Sequence, residues 1–409
     1  MSSRKRVAIT GMGVISSLGN SPEVLHARLC DQQQVGYSRF DECASNGLAG
    51  GQGGGVTSFQ AEEYLRGRLL RPLDRTGRLV AAAAGLALAD SGWTQEALVR
   101  QEVGLVLGTM FSSMHTIAEF DRHALTNGPS CASPMDFANT VINSGAGQSA
   151  IWHKLRGINS TIATGLTSGL MALRYASDLI AYGGQTAILA GGADEFCFES
   201  YCACERAGLL RESAERAPCA VPFDARRNGF ALTEASALLM LEEWESALER
   251  GAHILGEIRG HGSAYDPSCS LSCSRAMTLA MEDAQVRPED VDMVSSSANG
   301  GVSPDQSEAV AIDATLRRNK PPVAVTSIKS LLGESLGSAG ALQAIALLET
   351  MRTATVPGIY GLEQIDPQCA GLDITRETRN LQVRCGLINS LGFDGHACSL
   401  LIQQPAAVA

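Results

Sequence analysis

The sequence predicts an α/β protein made of two similar halves. Three observations carry this reading. Short apolar runs of strand length alternate with longer segments of helical period. The alternation begins a second, smaller round after Gly251, and no Pro- or Ser-rich linker separates the rounds. The expected halves are residues 1–250 and 251–409, fused over a shared core.

In chain order, Arg6–Thr10 reads as a strand followed by a tight Gly11-Met12-Gly13 turn. The Ala/Leu texture of Leu79–Ser91 predicts a closely packed helix, and Val103–Gly108 a buried strand. Ser168–Tyr182 has strong helical period, and Thr186–Gly192 is an apolar strand ending at Gly191-Gly192. Ala235–Leu241 is a further strand, leading into a charged helix over Glu242–Arg250. The second round offers strands at Ile254–Gly260 and Val291–Ser297 and helices at Cys273–Gln285 and Ser335–Arg352. It closes with adjacent strands at Cys385–Ser390 and Ser399–Gln403. The Gly50–Gly55 run reads as a flexible surface loop.

Composition removes several function classes. Of 409 residues, 45% are hydrophobic and 18% charged, enough apolar material for a packed interior and too much for disorder. The balance of 43 acidic against 32 basic residues, net charge −11, leaves no basic stripe for nucleic acid. No apolar run reaches the roughly 18 residues that span a bilayer. The twelve cysteines lack any C-x-x-C pair or histidines at zinc spacing, so buried thiols in a reducing cytoplasm are expected and no metal. Gly11-x-Gly13 follows a strand, but Ser16 stands where a third glycine would complete a dinucleotide cradle. No cofactor is expected.

Four segments carry chemistry: Asn159-Ser-Thr-Ile-Ala-Thr-Gly-Leu166-Thr-Ser-Gly169, Val221-Pro-Phe-Asp-Ala-Arg-Arg-Asn-Gly-Phe230-Ala-Leu-Thr-Glu234, Val325-Thr-Ser-Ile-Lys329-Ser-Leu-Leu-Gly-Glu334 and Ile388-Asn-Ser-Leu-Gly-Phe393-Asp-Gly-His396. With the opening Val7-Ala-Ile-Thr-Gly-Met-Gly13, and in the same order, the chain resembles the β-ketoacyl-acyl-carrier-protein synthases. The resemblance implies a thiolase-like fold, two α/β halves in five layers (αβαβα). It also implies dimers paired through the strand before the nucleophile, here Asn159, Ser160, Thr161, Ile162 and Ala163.

The family's condensation needs a helix-N-terminal cysteine that takes the acyl chain, and two histidines that stabilise enolate and oxyanion charge. By the same resemblance these positions hold Leu166, Ser297 and Glu334, and none of the three reactive side chains remains. Lys329, Glu234, Asp224 and Phe393 stand where the family has the same residues. A chain that keeps this frame without the reactive groups resembles a chain-length factor, or KSβ, of a type II polyketide synthase. That likeness implies pairing with an active ketosynthase as a heterodimer, and an acyl carrier protein whose phosphopantetheine arm delivers the chain. Glutamine is common at the nucleophile position of aromatic-system members, so Leu166 leaves polyene systems open alongside aromatic ones.

Met110, Phe111, Ser112, Ser113, Met114, Ile117 and Phe120 fall where chain-length factors line the acyl tunnel, though Met and Phe at helical spacing also suit an ordinary core. His396 and Asp394 replace residues of the family's active-site loop. A histidine packed in a loop hydrogen bond is the favoured reading of His396, against a base acting on Ser168 or Thr167. Two rival functions stand beside the leading one: a divergent acyltransferase using Ser168, Thr167 or a displaced cysteine, and a self-associating scaffold.

Overall fold

The computed structural model describes residues 4–40, 51–66, 70–210, 220–317 and 321–405. Its first strand, β1 (Val7–Ser16), is buried along its whole length and runs straight through Gly11-Met12-Gly13. The expected turn is therefore a packing site. A Cβ at Gly13 would lie 2.0 Å from the carbonyl oxygen of Ala83, and one at Gly11 2.7 Å from that of Ala87. Only glycine lets helix α1 (Arg75–Asp90) come that close to the strand.

The elements that build the sheet and frame the site follow in order: β2 (Val103–Gly108), α2 (Met114–Asn127), β3 (Asn159–Ile162), α3 (Ser168–Ala181), β4 (Ala187–Asp194), α4 (Phe198–Arg206) and β5 (Ala235–Glu243). After residue 250 come β6 (Gly256–Tyr265), α5 (Cys269–Ala284), β7 (Met293–Ser295), α6 (Val302–Leu316), β8 (Ala324–Thr326), α7 (Ala339–Thr353), β9 (Asp373–Ile374), β10 (Cys385–Leu391) and β11 (His396–Gln403). The eleven strands form one mixed sheet in the order β9-β8-β7-β10-β11-β6-β1-β5-β4-β2-β3. Its two parts meet only where Val7–Ile9 of β1 pairs antiparallel with Gly256–Ile258 of β6.

Period-2 alternation sends neighbouring strand residues into different layers. On β5, Leu239 and Leu241 face α3 and α7, whose Leu170, Leu173, Leu342 and Ile345 lie in the same core. Leu238 and Met240 face outward under Leu79 and Val80 of α1. On β10, Ile388 enters the central core while Leu387 packs against α5 and α6 through Met277 and Ile312. The layers are thus helix, sheet, paired helices, sheet, helix, the thiolase-like αβαβα fold.

Three local expectations change. The strand expected to end at Gly191-Gly192 continues to Asp194, because those glycines admit a neighbouring backbone: a Cβ at Gly192 would lie 2.0 Å from the Gly337 carbonyl oxygen. The charged helix begins only at Trp244 and ends at Glu249, since Glu242 belongs to β5 and is buried against Thr10 and Arg250. Gly51–Gly54 is a short strand between Ser38–Phe40 and Leu232–Thr233 in place of a loop, and Gly50 lies outside the described residues. No helix among the described residues is long and apolar enough to cross a membrane.

The strand–helix contact yields a stability test. Gly13→Ala places a methyl against backbone that cannot rotate away, and overpacking of this kind costs about 1–3 kcal/mol. Urea denaturation of the variant should show a lowered midpoint; a midpoint equal to wild type would return Gly13 to a turn.

Candidate functional site

Leu166 sits in the single turn Gly165–Thr167 that leads into α3, where a helix N-terminus would favour an anion. Instead the leucine is buried with Tyr201, Cys204, Phe230, Leu232 and Leu336, and Met110 and Phe111 pack at the margin. Ser390 Oγ donates to the Leu166 carbonyl at 3.0 Å and fixes the turn. Nothing at this position can attack a thioester.

Ser297 and Glu334, which the resemblance sets at the histidine positions, are joined by a buried lysine. Lys329 Nζ donates to the Ser297 carbonyl at 2.8 Å and to Glu334 Oε2 at 2.8 Å. Asn299 Nδ2 adds a second bond to Glu334 Oε2 at 2.9 Å, and the backbone N–H of Leu336 donates to Glu334 Oε1 at 3.0 Å. The Glu334 carboxylate, fully buried, is thereby consumed by an ion pair and two hydrogen bonds. Ser297 Oγ in turn accepts from the Leu391 backbone at 2.9 Å. Leu336 belongs to the Leu166 cluster, so its backbone bond ties that cluster to Glu334. Around Leu166 the structure thus has a hydrophobic cluster beside a closed salt bridge.

The other residues singled out in the sequence have partners of their own. Glu234 is buried, pairs with Arg75 Nε at 2.6 Å and accepts from the backbone of Val56 and Phe196. Phe393 is partly exposed and stacks on Phe230 with ring centroids 6.0 Å apart. Asp224 serves elsewhere, tying Arg226 to the backbone of Glu363 and Gln364. Burial opposes its charge, but these bonds outweigh it and hold the carboxyl at about 2.

His396 is exposed, bonded to Asp394 at 2.8 Å and packed on the Tyr265 ring. The hydroxyls it would have to activate are engaged with backbone. Ser168 Oγ donates to the carbonyls of Thr109 and Gly165, and Thr167 Oγ1 to that of Thr164.

Sequence reasoning missed the residue that holds the region together. Asp194, fully buried at the end of β4, accepts from Thr109 Oγ1 and from the backbone N–H of Met110, Phe111 and Ser112, and across the site from Gly337. Burial pushes its carboxyl up, while the five donors favour the charged form. Ser112 and Leu336, both beside these bonds, have φ of +54° and +53°, a left-handed conformation that ordinary side chains rarely keep without support. The available signal was an acidic pair, Asp194-Glu195, closing an otherwise apolar strand.

Of the expected tunnel residues, Met110 and Phe111 touch the Leu166 cluster, and Ser112 and Ser113 are buried behind them. Met114, Ile117 and Phe120 lie on α2, a helix with no fully buried residue; Phe120 packs on Phe137. Asn159–Ile162 forms the end strand β3, paired on one side with β2, and Asn159 and Ala163 are exposed.

Residues 4–247 match the Beta-ketoacyl synthase N-terminal domain and residues 252–363 its C-terminal domain, so the chain belongs to the β-ketoacyl synthase family. Among its relatives, the 3-oxoacyl-[acyl-carrier-protein] synthase 2 of Synechocystis sp. is 30% identical, with 98% of each chain covered. That of Vibrio harveyi is 31% identical over 99% of this chain and all of its own. Two solved structures are also similar. The ishigamide ketosynthase/chain length factor superposes with a TM-score of 0.91 at 28% identity, covering 99% of this chain and all of that one. A type II polyketide synthase acyl-carrier protein in complex with its ketosynthase bound to the hexaketide gives 0.88 at 25%, covering 98% and all.

Glu195, next to Asp194, supplies a pH test. Burial lifts its carboxyl from 4.5 to about 7, against a hydrogen bond from the His115 backbone. A raised acid favours the folded state below pH 4.5, and that contribution is lost as pH rises to about 7. Glu195→Gln should therefore gain about 2–3 kcal/mol relative to wild type between pH 4.5 and 7.5. Chemical denaturation at both ends checks this, and parallel curves for the two proteins would refute it.

Proposed function

We propose that this chain is a non-condensing, chain-length-factor-type subunit. It pairs with an active ketosynthase as a heterodimer and shapes the tunnel that bounds the length of a type II polyketide, aromatic or polyene. The observation that carries the reading is the buried Leu166 cluster beside Ser297 and Glu334 joined through Lys329, residues read here as standing at the nucleophile and histidine positions. The likeness to the ishigamide ketosynthase/chain length factor supports it. Residues 1–250 and 251–409 are the two ketosynthase-like halves.

Each partner has a place in this reading. The intact ketosynthase supplies the cysteine and both histidines, and the acyl carrier protein brings the phosphopantetheine-bound chain to it. Edge strand β3, with Asn159 to Ala163, pairs across the interface and satisfies its open backbone groups. Met110 and Phe111 pack against the Leu166 cluster and would bound the far end of an acyl chain. Met114, Ile117 and Phe120 extend the wall along α2.

Purified alone, the chain should not condense acyl and malonyl thioesters, and Leu166→Cys should stay silent because Glu334 opposes enolate charge. In complex with a ketosynthase, Phe111→Ala should give equal or longer products, and Ser113→Phe shorter ones at a similar initial rate. Ser113 is the better site for enlargement, since Ser112 is already in a left-handed conformation. Product-length distributions by mass spectrometry, on complexes shown to be intact, decide the matter. Turnover by the lone chain, or one unchanged distribution across the series, would overturn the proposal.

A further inference from the structure

Helix α2 poses a problem that the acyl tunnel does not solve. It is fourteen residues long and none of them is fully buried. Its face toward α4 carries chemistry in place of apolar contact: His115 and Glu119 are one helical turn apart, and Glu199 in the first turn of α4 stands opposite. The imidazole and carboxylate donor atoms of these three side chains lie within 4.8 Å of one another. His115 Nδ1 and Glu199 Oε2 are 3.3 Å apart. Two ligand atoms held at about 2.1 Å around a tetrahedral cation are separated by about 3.4 Å, so this pair already has the spacing of a coordination edge.

Two further features fit. A cavity of about 210 Å³ adjoins the cluster, and His115 and Glu119 line it together with His123, one turn further along α2, and Asp136. Water and additional donors thus have room to complete a coordination sphere. Second, the carboxylates already hold a cation. Arg122 Nη2 lies 2.5 Å from Glu119 Oε1 and 4.0 Å from Glu199 Oε1, on a side chain that is 60% exposed and free to swing away.

We propose that His115, Glu119 and Glu199 form a divalent-cation site that clips α2 to α4, with Arg122 as the resident competitor. One imidazole with two carboxylates suits Zn²⁺, and Co²⁺ as its spectroscopic substitute, over Mg²⁺ or Ca²⁺. The bound ion would supply the anchoring that α2 lacks in hydrophobic form. The site does not rest on the chain-length reading, because neither its ligands nor its test involve acyl chemistry.

The experiment is titration of the full, tag-free chain with Zn²⁺ by calorimetry and with Co²⁺ by visible absorption. One ion per chain is expected, with the intense bands of tetrahedral Co²⁺. His115→Ala and Glu199→Gln should each weaken binding at least tenfold. Arg122→Ala should tighten it several-fold, a gain that adventitious binding to surface acids would not give. Because His115 and Arg122 are exposed and Glu199→Gln keeps the shape of the side chain, circular dichroism should report wild-type folding for each variant. Absence of saturable binding to wild type at millimolar metal, or binding that His115→Ala leaves unchanged, would overturn the site.

Discussion

The carboxylate of Asp194 is the constraint on which this region depends. It gathers five donors, four of them backbone N–H groups, and joins the segment after β2 to the turn before α7. Two left-handed residues, Ser112 and Leu336, sit beside those bonds. Each buried N–H left without a partner would cost about 1–3 kcal/mol, more than enough to release such strain. Gly192 and Gly337 make the junction possible by bringing backbones within a distance that any Cβ would block. The shape of the wall from Thr109 to Ser113, and the position of Leu336 under Leu166, therefore follow from one buried charge.

That frame explains how the region around Leu166 keeps its shape whatever side chains fill it. A cysteine and two histidines contribute little to holding the layers together; the strands and the helices between them do that. The buried polar groups beside Leu166 bond to one another. Lys329 balances Glu334, Asn299 takes a further lone pair, and Glu308 collects Ser296, Ser297 and Asn389. A buried ion pair is at best modestly stabilising, but one partner without the other would be costly. The burial of Lys329 is thus accounted for by the glutamate opposite it.

Much of the fold was legible in the sequence because patterning is local. Strand-length apolar runs at Val103–Gly108 and Cys385–Ser390 and the helical period after Ser168 all fell on the elements observed. The collinear motifs located Leu166, Ser297, Glu334 and Lys329, and the structure brings them to one place. What was illegible depended on partners distant in the chain. Gly11 and Gly13 carry the signature of a turn and serve as a seat for α1; nothing near them announces that helix. Glu242 reads as the start of a charged helix until Thr10 and Arg250 are placed beside it. Asp194 lies beyond the expected end of its strand, and its donors come from segments on either side of the site.

The central claim is that this chain carries no acyl group during catalysis. The most direct measurement is intact-protein mass spectrometry of the chain and an active ketosynthase after exposure to acyl-loaded carrier protein. The account predicts an acyl mass on the cysteine-bearing ketosynthase and an unmodified mass for this chain, because Leu166 has no nucleophile and the Ser168 and Thr167 hydroxyls are bonded to backbone carbonyls. A stoichiometric acyl adduct on this chain, mapped to Ser168, Thr167 or any of its cysteines, would contradict it.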